Sequence, residues 1–440
     1  MEKLQLRKAK ELLAFLVVLG MSITFVVRAA ISGITYDEAF TYLAYARPLM
    51  DMPTIGMVES IFWGCVANNH WLNTFLISIV CGISGIQYSE FLIRLPAIIF
   101  GCAYLGVNLI CYKRRKIDGY QFVLLSFCYY LQEFFGLARG YGMAATLVLW
   151  GILLFEEWLK EKCCRHWLLI LSIGVLIASA YANSVTLVVC FCIGIAMLYR
   201  LIFSKQIFLF LKKCWPVLIV YAGASLVIVK FHFRVSGEGM PLFAADQSSV
   251  LGLMAEYVSM LLKGDTIIKV VSVILLILVL ASIVVLTLCR KIMQCDLGIA
   301  CIVYFLCLIM MDTVFGRGGF YGRTLLPAYP LVALGIYQLL LESKRVLSDR
   351  FSIKMEKACC IAGAIAVLVI GFMYCEKVDL LRTRDWHDDY NIKTDCYFNP
   401  DFESNTEHAS VVFYEEKKVW DMENLLQEYS GMEENNYQLK

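Results

Sequence analysis

Residues 91–116 read FLIRLPAIIFGCAYLGVNLICYKRRK, an apolar run closed by four consecutive cations, Lys113-Arg114-Arg115-Lys116. About twenty apolar residues are what a helix needs to cross roughly 30 Å of hydrocarbon. Cations crowded at the end of such a run mark the cytoplasmic side. The rest of the chain repeats this pattern. It has 440 residues, 60% hydrophobic and only 17% charged, more apolar surface than a soluble chain of that length can hide in its own cores. A membrane β-barrel would show roughly ten-residue segments of alternating polarity, and the sequence has none. The expected fold is an all-α polytopic integral membrane protein.

The apolar runs predict eleven spans, over 12–29, 90–112, 120–137, 139–155, 167–182, 185–203, 215–231, 266–289, 297–314, 324–341 and 358–375. Residues 71–86 tempt a twelfth, but the stretch is short, opens on Asn68-Asn69-His70, and contains Asn73 and Thr74. Charge decides the matter. If 71–86 lies on the membrane surface, the clusters at 3–10, 113–116, 160–165, 200–213, 290–291 and 344–357 share one side, 22 of the 32 basic residues before position 376. If it spans, the Lys113 cluster and several later ones move outside, against the rule that short cytoplasmic loops carry the cations.

The eleven-span reading follows, with a cytoplasmic amino terminus and an extracytoplasmic carboxyl terminus, in the cell (plasma) membrane. It defines a transmembrane domain over 1–375 with large outer loops at 28–89, bearing surface helices, and 232–265. The region 376–440 has 16 acidic and 7 basic residues, so the net charge of +2 conceals a basic body and an acidic outer tail. Strand-like and helical patches in the tail suggest a small folded unit.

Other classes lack their signatures. The 18 cysteines lie mostly inside apolar runs, where they behave as small hydrophobes, without the paired spacing of a zinc site. No phosphate-cradling or dinucleotide glycine motif is present, which disfavours a nucleotide-driven transporter. Nor are cations interleaved with aromatics as in nucleic-acid binders, so no nucleic acid is expected as a partner. The first apolar run follows a basic start without a small-residue cleavage site and reads as a retained span.

The first outer loop opens Ser32-Gly33-Ile34-Thr35-Tyr36-Asp37-Glu38-Ala39. Thr35 to Glu38 fits a helix capping box, with Glu38 reaching back to the Thr35 amide. On that reading Gln at position 38 would serve as well. Asp37 is left for chemistry, as a boundary carboxylate able to take a proton from an acceptor hydroxyl or amine. Asn69, His70, Tyr141, His232, Arg234 and Tyr321 fall on the same outer side as candidate substrate contacts. So do Arg139, Arg317 and Arg323. Outer arginines escape the positive-inside explanation and suit bidentate grip of a phosphate. Singly, each also reads as an interfacial arginine with its head in water. Together they suit an anionic headgroup beside an aliphatic tail.

These residues also carry a resemblance. Tyr36-Asp37-Glu38-Ala39 after the first span resembles the Asp-Glu signature of the C superfamily of membrane glycosyltransferases (GT-C), closest to its protein mannosyltransferase-like and aminoarabinose-transferase-like branch. Asn69-His70-Trp71-Leu72-Asn73-Thr74 is similar to the stretch where that branch often has His-Pro-Leu. Arg94-Leu95-Pro96-Ala97 looks like its Arg-Leu-Pro-Ser, Ala138-Arg139-Gly140-Tyr141 like its Ala-Arg-x-Tyr, and Arg323-Thr-Leu-Leu-Pro327-Ala-Tyr-Pro330 like its late Arg-Tyr-x-x-Pro-x-x-Pro. The matches keep the family's order over residues 10 to 340.

The resemblance implies an outward-facing site and a polyprenyl-phosphate donor whose sugar, hexosyl or pentosyl, passes to a glycan, lipid or protein acceptor. It also implies a catalytic role for the Asp37-Glu38 pair, with Asp37 as base or orienting group. Two departures are Trp71 in the place of proline and the lack of a second aspartate in Arg139-Gly140-Tyr141-Gly142. With one carboxylate fewer, a divalent cation is compatible with the chemistry but not required, and no metal ligand is assigned. The competing reading is a transporter or flippase for a lipid or glycan precursor, which would show mid-membrane charges and paired broken helices.

Overall fold

A computed structural model describes residues 2–31, 38, 41–51, 70–85, 89–237, 249–315 and 322–351, with 365–366, 368–372, 374, 396–398, 410–413 and 419–421. It is mostly helical, and among the described residues seven helices are long and apolar enough to cross a membrane. The helices that position the site are α1 (Glu2–Ile31), α2 (Trp71–Ser84), α3 (Glu90–Lys113), α4 (Gly119–Ser126), α5 (Tyr129–Glu133), α6 (Gly140–Lys160) and α7 (His166–Ala182). They are followed by α8 (Thr186–Phe203), α9 (Ile207–Gly237), α10 (Val250–Ser259), α11 (Asp265–Leu288), α12 (Asp296–Phe315) and α13 (Tyr329–Phe351).

α1 runs against α3, while α3 and α6 run the same way with the α4–α5 segment returning between them, and contacts at each end of the bundle record it. At one end Lys113 lies over the Phe15 ring, Lys116 pairs with Glu157 at 2.8 Å, and Arg200 pairs with Asp296. At the other, Arg94 Nη1 donates to the Ala29 carbonyl at 3.0 Å and Ala138 N–H donates to Glu38. Among the described residues, cations from five of the predicted basic clusters, Arg7, Lys10, Lys113, Arg115, Lys116, Lys160, Arg200 and Arg345, gather at one end. The outer faces are apolar. On α11, Val270, Ile274, Ile277 and Leu278 are exposed, in a helix whose apolar stretch reaches a mean hydropathy of 3.2. Such a face needs a bilayer as its solvent.

One expected span is corrected. Residues 120–137 do not form a single helix: α4 ends at Ser126, and only the one-turn α5 follows before the turn into α6. A break leaves helix-end carbonyls that hydrocarbon cannot satisfy. Here side chains from elsewhere accept that task. Tyr329 Oη donates to the Leu124 carbonyl at 2.6 Å, Tyr104 Oη to Leu125 at 3.1 Å, and Gln132 Nε2 to Ser126. The segment still travels from the basic end, where Asp118 and Gln121 form a capping box, to Ala138 at the opposite end.

A further difference concerns the second outer loop. The 232–265 segment, read as a loop, contains α10, and α9 runs five residues past His232. Leu253, Met254, Tyr257 and Val258 bury one face of α10, while Tyr129 Oη donates to the Ser259 carbonyl at 2.9 Å. α2 is a 14-residue helix, too short to cross, with Trp71, Asn73, Thr74, Ile77 and Cys81 buried and Phe75, Ile79 and Ile83 exposed. In the tail, Cys396–Phe398, Ser410–Phe413 and Val419–Asp421 form a three-stranded antiparallel sheet in chain order.

Helix ends at the basic end share one device. α3, α6, α8 and α11 each stop in a paired 6→1 and 5→2 motif whose left-handed residue is not glycine but a cation: Arg115, Lys162, Lys205 and Arg290, at φ 50–56°. The bonds recur in every case, as in Arg115 N–H to Tyr112 at 3.0 Å and Lys116 N–H to Cys111 at 2.8 Å. Glycine is the usual occupant because a Cβ makes this conformation costly. A cation there is favoured by the helix C-terminal dipole.

Candidate functional site

The site end is organised around the Ala138-Arg139 junction. Glu38 and Arg94, both fully buried, form a bidentate pair, with Arg94 Nε to Oε1 and Nη2 to Oε2 each at 2.8 Å. Glu38 Oε1 also accepts the Ala138 N–H at 2.6 Å. From the other side, Asn73 Nδ2 donates to the Ala138 carbonyl at 3.0 Å. The backbone of one residue, Ala138, is therefore held on both sides, its N–H by Glu38 and its carbonyl by α2. Arg139, the N-cap of α6, is fully buried and donates through Nη1 to Thr41 Oγ1 at 3.3 Å.

Tyr141 is the hub of the cluster. Its ring has the Arg139 guanidinium at 5.8 Å and that of Arg323 at 5.9 Å, both within cation–π range. His70 packs edge-on against the same ring, centroids 4.9 Å apart, and Phe134 does so at 5.1 Å. Arg323 comes from the 3₁₀ turn Gly322–Ala328 that leads into α13. Gly140 permits the assembly, because a Cβ there would strike the Ala182 carbonyl and come within 2.8 Å of His70.

His70 is neutral. Burial first, then the charges of Arg139 and Arg323, push its pKa well below the ordinary value, against a smaller upward pull from its hydrogen bond to the Ala182 carbonyl. Its Nε2 is buried and makes no hydrogen bond among the described residues, so the bond to Ala182 is assigned to Nδ1 as donor. A neutral ring with its proton on Nδ1 presents a bare lone pair on Nε2. The cluster thus combines two guanidiniums with one acceptor.

An apolar groove of about 590 Å³ adjoins this polar cluster, lined by Trp71, Phe75, Ile177, Tyr181 and Val220 among others from α2, α7 and α9. Trp71 follows His70 directly in the chain and packs on Phe231 with centroids 4.5 Å apart. His232 is next along α9 and half-buried.

Of the predicted residues, Glu38, Arg139, Arg323, His70, Tyr141 and His232 therefore lie at one end of the bundle. Asp37, Asn69, Arg317 and Tyr321 lie outside the described residues, as does the side chain of Arg234. The partners found for Glu38 are Arg94 and the Ala138 amide; Thr35, its expected capping partner, lies outside the described residues. Sequence reasoning quoted Arg94 and Asn73 within motifs but did not assign them to the site. The signal for Arg94 was a cation one turn into an apolar span, beside only the partly exposed Glu90, which calls for a further acid from elsewhere. Among the described residues, no group of three or more His, Cys, Asp or Glu could hold a metal. Comparison with family models, curated proteins and solved structures finds no match.

Proposed function

We propose that this chain is a glycosyltransferase that moves a sugar from a polyprenyl-phosphate donor to an acceptor at the outer face of the membrane. One observation carries the reading: two arginines converge on Tyr141 beside a groove that is almost wholly apolar. A phosphate between planar cations, with an aliphatic chain leading away along a hydrophobic wall, fits that pairing. The eleven-span arrangement belongs to the proposal, with α4 and α5 together counted as one crossing and 358–375 as the last.

Chemically, a lipid phosphate is already a competent leaving group, and the guanidiniums of Arg139 and Arg323 would stabilise the charge that grows on it. Glu38, occupied by Arg94, serves to fix the loop. Asp37, its neighbour in sequence, is the proposed base that takes the acceptor's proton as the new glycosidic bond forms. The neutral His70 would accept a hydrogen bond from a sugar hydroxyl.

The test is to incubate the purified chain in lipid with radiolabelled polyprenyl-phosphate sugars and membrane extract, and to follow label into acceptor. Transfer that is lost in Asp37→Asn supports the reading. The broken crossing at α4 and α5 favours a second reading, a flippase for the same class of lipid. Movement of intact donor across the bilayer, with no label transferred, would decide for it.

A further inference from the structure

At the basic end a cavity of about 750 Å³ opens between the start of α1, the α3–α4 turn, the end of α6 and α13. Six cations line it: Arg7, Lys10, Arg115, Lys116, Lys160 and Arg345. Three are committed to acids, Arg7 to Glu11 at 2.6 Å, Lys116 to Glu157 at 2.8 Å, and Arg345 to Glu342. Lys10, Arg115 and Lys160 make no ion pair among the described residues.

The acids of the wall are mostly occupied as well. Asp118 accepts the Tyr120 and Gln121 amides at 2.9 and 3.0 Å and the Tyr337 hydroxyl. Glu11 and Glu342 hold the two arginines. Glu156 alone is left to set against three cations. Apolar residues, Leu6, Ile117, Leu334 and Leu341, share the lining. Cations needed only to orient a membrane protein suffice in open loops. Here they are gathered in a concave space between helix ends, with a surplus of positive charge and part of the wall greasy.

We propose that this cavity binds the phosphate of an anionic lipid headgroup at the cytoplasmic edge of the membrane, with Lys10, Arg115 and Lys160 as its cationic contacts. The shape and charge match that chemistry: a phosphate meets the cations, and the glycerol and upper acyl carbons meet the apolar wall. Arg115 is held in place by the two backbone bonds that end α3. The site is independent of the transferase reading and lies at the opposite end of the bundle from it.

The experiment uses the full chain in neutral detergent, with native mass spectrometry and thermal shift as readouts. Phosphatidylglycerol, phosphatidylcholine and inorganic phosphate are added separately. Retention of phosphatidylglycerol with a raised melting temperature, and neither effect with phosphatidylcholine, is expected. A Lys10→Gln/Arg115→Gln/Lys160→Gln variant should bind on the order of a hundredfold more weakly, about fivefold per cation removed. A control variant, Lys205→Gln/Lys212→Gln/Lys213→Gln, removes the same charge from the same end outside the cavity and should bind as the wild type does. A shift from inorganic phosphate alone that disappears only in the cavity variant would give the same site a soluble occupant. Equal loss in both variants, or no preference of the wild type for phosphatidylglycerol, would overturn the proposal, the second without any variant having to fold.

Discussion

Replacing Glu38 by Gln separates two accounts of this carboxylate. As a capping-box residue it would tolerate Gln, since the amide oxygen still accepts and the change costs a few tenths of a kcal/mol. The geometry says otherwise. Oε1 accepts from Arg94 Nε and from Ala138 N–H, and Oε2 accepts from Arg94 Nη2. Whichever way the Gln amide is turned, its NH₂ faces a donor, and at least one charge-assisted bond is lost. The Arg94 guanidinium then stays fully buried beside a neutral group, with Glu90 at 3.8 Å and partly in solvent. Removing one member of a buried pair costs about 3–5 kcal/mol. With one oxygen kept, the expected loss is near the lower end, about 3 kcal/mol.

The assay is reversible unfolding in mixed micelles with rising dodecyl sulfate, followed by tryptophan fluorescence, on wild type, Glu38→Gln, Arg94→Met and the double variant. The double variant removes the stranded charge and should recover at least about 1.5 kcal/mol relative to the sum of the singles. A Glu38→Gln protein within about 0.5 kcal/mol of wild type, or strictly additive singles, would refute the argument.

Other outcomes are expected. Asp37→Asn should lower turnover by about 10² or more with donor binding near normal, measured by steady-state kinetics beside a direct binding assay. Lys in place of Arg139, Arg317 or Arg323 should weaken donor binding about tenfold or more, because a point charge replaces a planar fork; wild-type affinity in all three would remove them from the site. Ala178→Phe, which narrows the groove lined by α2, α7 and α9, should penalise long polyprenyl donors more than short ones in a competition assay. His70 resists protonation in the fold, so below about pH 6.5 the unfolded chain binds more protons. Stability should hold above that pH and fall below it, by up to about 1.4 kcal/mol per pH unit, and His70→Gln should flatten that slope in the same micelle titration.

How much of this was readable beforehand depends on range. Long apolar runs report their own helices: α3, α8 and α11 start and stop within a residue of where hydropathy puts them, and α6 starts there but runs five residues further. The break after Ser126 is invisible to a window average, because the residues that make it tolerable, Tyr104 and Tyr329, are 22 and 203 positions away. α10 was legible and overlooked: Val250, Leu253, Met254, Tyr257 and Val258 have helical spacing, with Ser249 as an N-cap. At the site, residue types pointed to Arg139, Tyr141, His70 and Arg323. Their meeting around one ring depends on α2, α6 and the turn before α13 packing together, which no local pattern encodes. Asn73 was noted as a polarity that argued against a span; its reason is the carbonyl of Ala138, 65 residues on.

The cations that end α3, α6, α8 and α11 bear on how such a protein is engineered. A stabilisation campaign would ordinarily mark Arg115, Lys162, Lys205 and Arg290 for glycine, each promising roughly 1 kcal/mol of relieved strain. Under the proposed topology, however, these same positions would instruct the insertion machinery, in a nascent chain, which hairpin ends stay behind. Four glycines would yield helices that terminate more comfortably and a polypeptide less certain which way up to be threaded. Resistance to heat in the finished protein and fidelity of its biogenesis therefore pull on the same four codons in opposite directions.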